Sequence, residues 1–376
     1  MAQRTIARII ARNLVVATAR AAVLAAQAQD KWVVGQSAPL TGGNAVFGND
    51  IRDGANAYFA MLNAKGGVQG KPIELITLDD KNDRKQAGVN AKTLLENKQL
   101  VALFGFASAT LSLDALPQAE AKEVPFFAPF SGANPVRVNS PVLFTVRASY
   151  GQEMEKILNF WVSLGMKRVT VVHYEDEVGK QNMQVVVDYL KKVNLSPQAL
   201  ALQRNAQIGK AEVQAILAQQ PEMILSTVLS GAAAQFQKEL IAMGRIIPTS
   251  SLSFVGADQY IAAAGPASAG VSIAQVVPSP NSSIPAVREC AKALEAVGKP
   301  KMNSTQLEAC FAAKVLAEGI RRSKKPVNAQ NVLDALTNLG TYDLGGHRVT
   351  FAPGAQHGSK FVDLAMVTRE GKLSTR

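Results

Sequence analysis

A chain of 376 residues with 47% hydrophobic and 18% charged residues has ordinary globular composition and is too long for one compact core, so two domains are expected. The formal charge of +11 is scattered, with no block of like charges and no aromatic residues among basic clusters, which argues against nucleic-acid binding. No segment reaches roughly 18 consecutive apolar residues, so no membrane-spanning helix is expected in the mature chain.

The N-terminal residues read differently from the rest. Arg4, Arg8 and Arg12 give a basic start with no acidic residue, Leu14–Ala19 and Ala21–Ala26 are apolar, and Ala26-Gln27-Ala28 has the A-x-A form of a cleavage site. This is the layout of a secretory signal peptide over residues 1–28. Arg20 splits the apolar stretch and weakens its insertion, so an amphipathic or disordered tail is the alternative. Removing residues 1–28 takes away four arginines and lowers the charge from +11 to +7.

Trp32-Val33-Val34-Gly35 then reads as a short apolar strand, followed by the loop Ser37–Asn44. A helix is expected over 49–64, where Ile51, Ala55, Tyr58 and Leu62 give one buried face. Gly66-Gly67 stops it. Pro72–Leu78 is the next strand, ending at Asp79-Asp80, and Asp83 caps a helix whose apolar positions are Ala87, Ala91, Leu94 and Leu95. Val101–Phe104 and Val124–Ala128 are further strands with a helix between them. Such alternation implies a parallel sheet with helices on both faces.

The pattern restarts near Ser149. Met154, Ile157, Leu158 and Trp161 mark a helix and Val169–Val172 a strand. Met183, Val187 and Leu190 mark a helix, Met223–Leu225 a strand, and Phe236, Leu240 and Met243 another helix. Val277–Ser283 reads as a linker. The helices expected over 286–297 and 304–322 have no strands of their own and return to the first unit. Cys290 and Cys310 fall on those neighbouring helices, either bonded in an oxidising compartment or as two buried thiols. No histidine or third cysteine is near them, so no zinc site is expected.

Catalytic chemistry is hard to find, and no enzyme, metal or cofactor is expected. His173 reads as a solvated loop residue at a strand end, and His347 and His357 lie among glycines without metal spacing. There is no G-x-S-x-G elbow, H-E-x-x-H or Walker lysine. Asp79 and Asp80 are adjacent on a strand and point to opposite faces, so they form no carboxylate dyad. Gly42, Gly43 and Gly48 lack the G-x-G-x-x-G spacing of a dinucleotide site. Three helix starts remain, after Ser37–Asn44, Gly105–Thr110 and Phe130–Gly132, at the carboxyl edge of the first sheet. Free N–H groups there suit a carboxylate, and open α/β sheets bind ligands at that edge.

Several motifs occur together and in order. Ala38-Pro39-Leu40-Thr41-Gly42 with Phe47-Gly48 looks like a P-L-T-G…G opening. Asn63–Pro72 looks like the N-A-x-G-G-x-x-G turn, and Asp79-Asp80 with Gln86-Ala87 like a D-D…A helix start. On these the chain resembles the leucine/isoleucine/valine-binding type of periplasmic solute-binding protein over nearly all of residues 31–373. The resemblance implies an α/β fold of two Rossmann-like lobes, the type I periplasmic binding protein architecture. Three hinge crossings would lie near Arg147, Val277 and Ser359, with a central ligand cleft closed by hinge motion. Lobe 1 would comprise 29–147 and 278–358, and lobe 2 would comprise 148–277 and 359–376.

The resemblance also carries ligand positions. Ala107-Ser108-Ala109-Thr110 would hold a ligand carboxylate, with Ala109 where amino-acid binders usually have serine. Phe130-Ser131-Gly132 would meet the ligand's amino group, with Gly132 in place of a threonine. In lobe 2, Leu229 stands near a ligand-stacking tyrosine, Ser253 near the glutamate that meets the ammonium, and Val178 near another tyrosine. Phe47, Phe130 and Leu229 would make the cleft more apolar. An ammonium buried without a carboxylate partner costs several kcal/mol. The expected ligand is therefore a small carboxylate, amino-acid-like, aliphatic or aromatic. The partners implied are that small molecule and the membrane permease of an ABC transporter, for a periplasmic monomer that binds no nucleic acid. A ligand-sensing receptor domain of the same fold, for amides or aromatic acids, is the alternative.

Overall fold

The computed structural model describes residues 31–204 and 206–375, so the expected signal peptide lies outside the described residues. The first lobe opens with β1 (Trp32–Ala38), α1 (Ala45–Asn63), β2 (Ile73–Asp79), α2 (Arg84–Leu95) and β3 (Leu100–Phe104). It continues through α3 (Ala109–Ser112), α4 (Leu116–Ala121), β4 (Phe126–Phe127) and β5 (Leu143–Phe144). The five strands form one parallel sheet in the order β2-β1-β3-β4-β5. β3 is buried along its whole length, as a central strand covered on both faces must be.

The helix α1 begins four residues before the expected start, at Ala45 rather than Asn49. Gly42, at φ 81°, turns the chain, and the Asn44 carbonyl already accepts the Gly48 N–H at 3.2 Å. Gly48 is thus a helical residue. A Cβ there would sit 2.1 Å from the Pro39 carbonyl oxygen, so the helix must carry glycine where it crosses the preceding loop. Asp79 and Asp80 serve this loop. Asp79 accepts from the Leu40 N–H at 2.9 Å and the Thr41 hydroxyl at 2.6 Å, while buried Asp80 accepts from the Ser37 hydroxyl at 2.9 Å.

The second lobe contains α5 (Tyr150–Ser163), β6 (Val169–Tyr174), α6 (Glu177–Lys192), β7 (Gln198–Leu202), α7 (Lys210–Ala218) and β8 (Met223–Ser226). It continues with α8 (Ser230–Ala242), β9 (Thr249–Ser251), α9 (Ala257–Ala264) and β10 (Ser272–Gln275). A Ser149–Gln152 capping box starts α5, and its buried face carries Met154, Ile157, Leu158 and Trp161. β6 runs two residues beyond the expected Val169–Val172. His173 is therefore a buried strand residue, its Nδ1 2.8 Å from the Tyr174 carbonyl, and not the solvated loop residue expected.

The chain then returns to the first lobe with α10 (Pro285–Ala296), α11 (Ser304–Arg322), α12 (Ala329–Thr337) and the hairpin β11 (Gly340–Asp343)–β12 (Arg348–Phe351). α10 and α11 pack on α1 and share its core. Cys290 of α10 and Cys310 of α11 are bonded to each other, with Cα atoms 6.0 Å apart. Finally β13 (Asp363–Val367) and β14 (Leu373–Thr375) join the second sheet, whose order is β14-β13-β10-β9-β8-β6-β7. β13 runs antiparallel to β10, and the other pairs inside that sheet from β10 to β7 are parallel.

The chain thus passes between the sheets three times: after β5, after β10 and before β13. An ionic cluster lies where these passages meet. Arg147 is buried on the first passage, 3.5 Å from Glu153 of α5 and 3.6 Å from Glu308 of α11. Glu153 also accepts from the Ser253 N–H at 2.7 Å and hydroxyl at 2.9 Å. Arg137 donates to the Arg147 carbonyl at 2.7 Å, and His357 bridges Thr145 and the Arg137 carbonyl at 3.0 and 3.2 Å. Two arginines face two glutamates, so the buried charges balance. Burial pushes both glutamates upward against the pull of Arg147. Burial would lower Arg147, but Glu308 and Glu153 hold its guanidinium above the usual value.

Candidate functional site

A cavity of about 230 Å³ lies between the two lobes at the carboxyl ends of their strands. This is where open α/β sheets place their ligands, because the loops after the strands and the starts of the next helices meet there. From lobe 1 the cavity receives Ser108, Ala109 and Thr110 after β3, Ser131 after β4, and Asn44 and Asn82 from the two preceding loops. Ser108 caps α3, accepting from the Leu111 N–H at 3.2 Å. The first turn of that helix leaves the Ala109 and Thr110 N–H groups without helical acceptors. Ser131 is buried, and its hydroxyl lies 3.3 Å from that of Tyr150.

Lobe 2 supplies the opposite wall. Tyr174 ends β6 and Asp176 follows it, Val178, Gly179 and Asn182 lie on α6, Arg204 follows β7, and Thr227 and Leu229 follow β8. Tyr150 and Phe254 close one end, with ring centroids 5.0 Å apart. Asp176 caps α6 through the Gly179 N–H at 2.9 Å and pairs with Arg204. Burial acts to raise the Asp176 carboxyl, and the Gly179 N–H with Arg204 more than offsets it, leaving Asp176 below the usual range and charged. The Arg204 guanidinium also lies 4.5 Å over the Tyr174 ring. Burial pushes the Tyr150 and Tyr174 hydroxyls upward, so both keep their protons near neutral pH.

Of the residues expected at a ligand, Ser108, Ala109, Thr110, Ser131, Val178 and Leu229 line this cavity. The others are placed elsewhere. Ala107 is buried behind the loop, and Phe130 is a core residue packed edge-on against Phe47 at 6.3 Å. Phe47 borders a separate small cavity beside Arg147. Gly132 is pressed against the start of α5, where an added Cβ would meet the Tyr150 backbone nitrogen and ring at 2.6 Å. A threonine cannot stand there without moving Tyr150. Ser253 faces the ionic cluster, where its hydroxyl is taken by Glu153 and Arg147. The third expected helix start, after Gly132, is a single 3-10 turn over Asn134–Val136.

Sequence reasoning missed Tyr150, Tyr174, Asp176, Asn182, Arg204 and Thr227. The strand-end rule applied to the first sheet would have found Tyr174 and Thr227 had it been applied to the second. Among the described residues, no group of three or more His, Cys, Asp and Glu could hold a metal ion, and no helix is long and apolar enough to cross a membrane.

With this geometry in place, residues 31–372 match the profile of the periplasmic binding protein family. The chain belongs to the periplasmic binding protein family. That family is one of solute binders rather than enzymes. A substrate-binding periplasmic protein from Ralstonia solanacearum superposes with a TM-score of 0.85 at 32% identity, covering 92% of this chain and 99% of that one. A possible leucine/isoleucine/valine-binding protein from Rhodopirellula baltica shares the fold with a TM-score of 0.87, at 22% identity and over 93% and 97% of the two chains. In sequence, an amino acid binding protein of Pseudomonas aeruginosa is 34% identical over 83 residues, and the aligned stretch spans only 22% of either protein. The periplasmic-binding fold with its two parallel-sheet lobes, expected from the motifs, is therefore the fold of this chain.

Proposed function

We propose that the protein captures a small carboxylate in the cleft and presents it, as an exported binding component of an ABC importer, to a membrane permease. The observation that carries this reading is the cavity itself, which both lobes line at their strand ends. Ser108 and Thr110, with the N–H groups of the first turn of α3, offer one polar wall, and Tyr150, Phe254, Val178 and Leu229 offer apolar contact for the ligand's body. The charged side chains lining the cavity are Asp176 and Arg204, and they neutralise each other. No unpaired carboxylate waits there for an ammonium group, which favours an acid over a zwitterionic amino acid.

A thermal-shift screen of amino acids, aliphatic acids and aromatic acids tests this. A ligand at about 100 times its Kd adds about 2.7 kcal/mol of stability, so acids lacking an amino group should raise the transition. A response to α-amino acids alone would overturn the carboxylate reading.

A further inference from the structure

We infer that lobe 2 carries a second acceptor-binding subsite, formed by Asn182, Tyr174 and Arg204, and that the ligand is a dicarboxylic acid gripped at both ends. The inference rests on the proposed carboxylate reading of the cleft and adds the chemistry of its far wall.

Asn182 is the decisive residue. It is only 6% exposed and lines the cavity, yet among the described residues its side-chain amide makes no hydrogen bond. The amide is uncommitted to the protein and opens onto the cavity, so a polar group of the ligand can pair with it. Two further donors share its wall. The Tyr174 hydroxyl accepts the Leu229 N–H at 3.2 Å, which leaves its own proton to give. Arg204 spends Nε and Nη2 on Asp176, at 2.9 Å for the first, and keeps Nη1. Tyr174 fixes the guanidinium plane by stacking beneath it at 4.5 Å.

The one carboxylate on this wall is already committed. Asp176 has one oxygen on the Gly179 N–H and the other on Arg204, so a ligand ammonium would have to break an existing bond. With one carboxylate at Ser108 and Thr110, a second carboxylate facing Asn182, Tyr174 and Arg204 satisfies donors on both lobes. It also ties closure to ligand length, since both ends must be met at once.

Isothermal titration with matched acids tests the inference: pentanoate against glutarate, hexanoate against adipate, and benzoate against terephthalate. In at least one pair the diacid should bind tenfold or more tightly than its monoacid. Arg204→Met should reduce that preference to within about twofold. Asn182→Leu, which leaves the charges and the Arg204–Asp176 pair in place, should reduce it at least threefold. Equal binding of monoacid and diacid in every pair, or a preference that survives both substitutions, overturns the second subsite while leaving the carboxylate reading intact. Binding of none of the six acids, with binding of leucine or another amino acid, sinks the carboxylate reading and the second subsite together.

Discussion

Arg147→Met is expected to lower the unfolding free energy by about 3–5 kcal/mol. The guanidinium is enclosed between Glu153 and Glu308, which come from different lobes and have little solvent to turn to. Removing it leaves two buried carboxylates facing each other. Either one must take up a proton or the passages must open to admit water, and both routes cost stability. A second substitution separates lost charge from lost packing. Glu308→Gln added to Arg147→Met should restore part of the deficit, because one orphan charge is gone. Urea denaturation of the three proteins measures this. A loss below about 1 kcal/mol, the worth of an exposed ion pair, would contradict the role given to the cluster.

The double variant Cys290→Ala/Cys310→Ala is expected to lose about 3 kcal/mol, the loop-closure value for a bond joining residues 20 apart. Both sulfurs are fully buried between α10 and α11, where those helices pack on α1. The loss should therefore come with little change in ligand binding, since neither cysteine lines the cavity. Comparison of urea midpoints with a ligand titration checks both halves. An unchanged midpoint would mean that the helices hold their places without the bond.

The alternation of strand and helix was legible because buried parallel strands such as Leu100–Phe104 read as continuous apolar runs. The first loop of the cleft was legible for the same reason: Ser108 follows such a strand and caps the next helix. What escaped was written in weaker patterns. β7, Gln198–Leu202, is mostly exposed and carries no clear period, so nothing marked Arg204 as the residue after a strand. Its neighbour Tyr174 is separated from it by a whole helix and joins it only when β6 and β7 pair in register, with Tyr174 opposite Leu202. Asn182 looked like any polar position on an amphipathic helix, because sequence cannot say that α6 turns that face to a cavity.

Gly132 and Ser253 teach a different lesson. Both were placed at the ligand by resemblance to positions that carry functional side chains in the family. In this chain each is committed to structure, Gly132 by contact with Tyr150 and Ser253 by its bonds to Glu153 and Arg147. The ammonium-binding equipment has therefore not been replaced at the same positions. The polar groups of lobe 2 stand on α6, at and just after the end of β6, and after β7 and β8 instead.

On the proposed function, one molecule bridges the two lobes across this cleft. A crystal structure with the tightest-binding acid from the titrations tests it most directly. The expected density places one carboxylate at Ser108 and Thr110 and the other end at Asn182, Tyr174 and Arg204. A ligand seated outside the cleft, or one touching a single lobe, would contradict it.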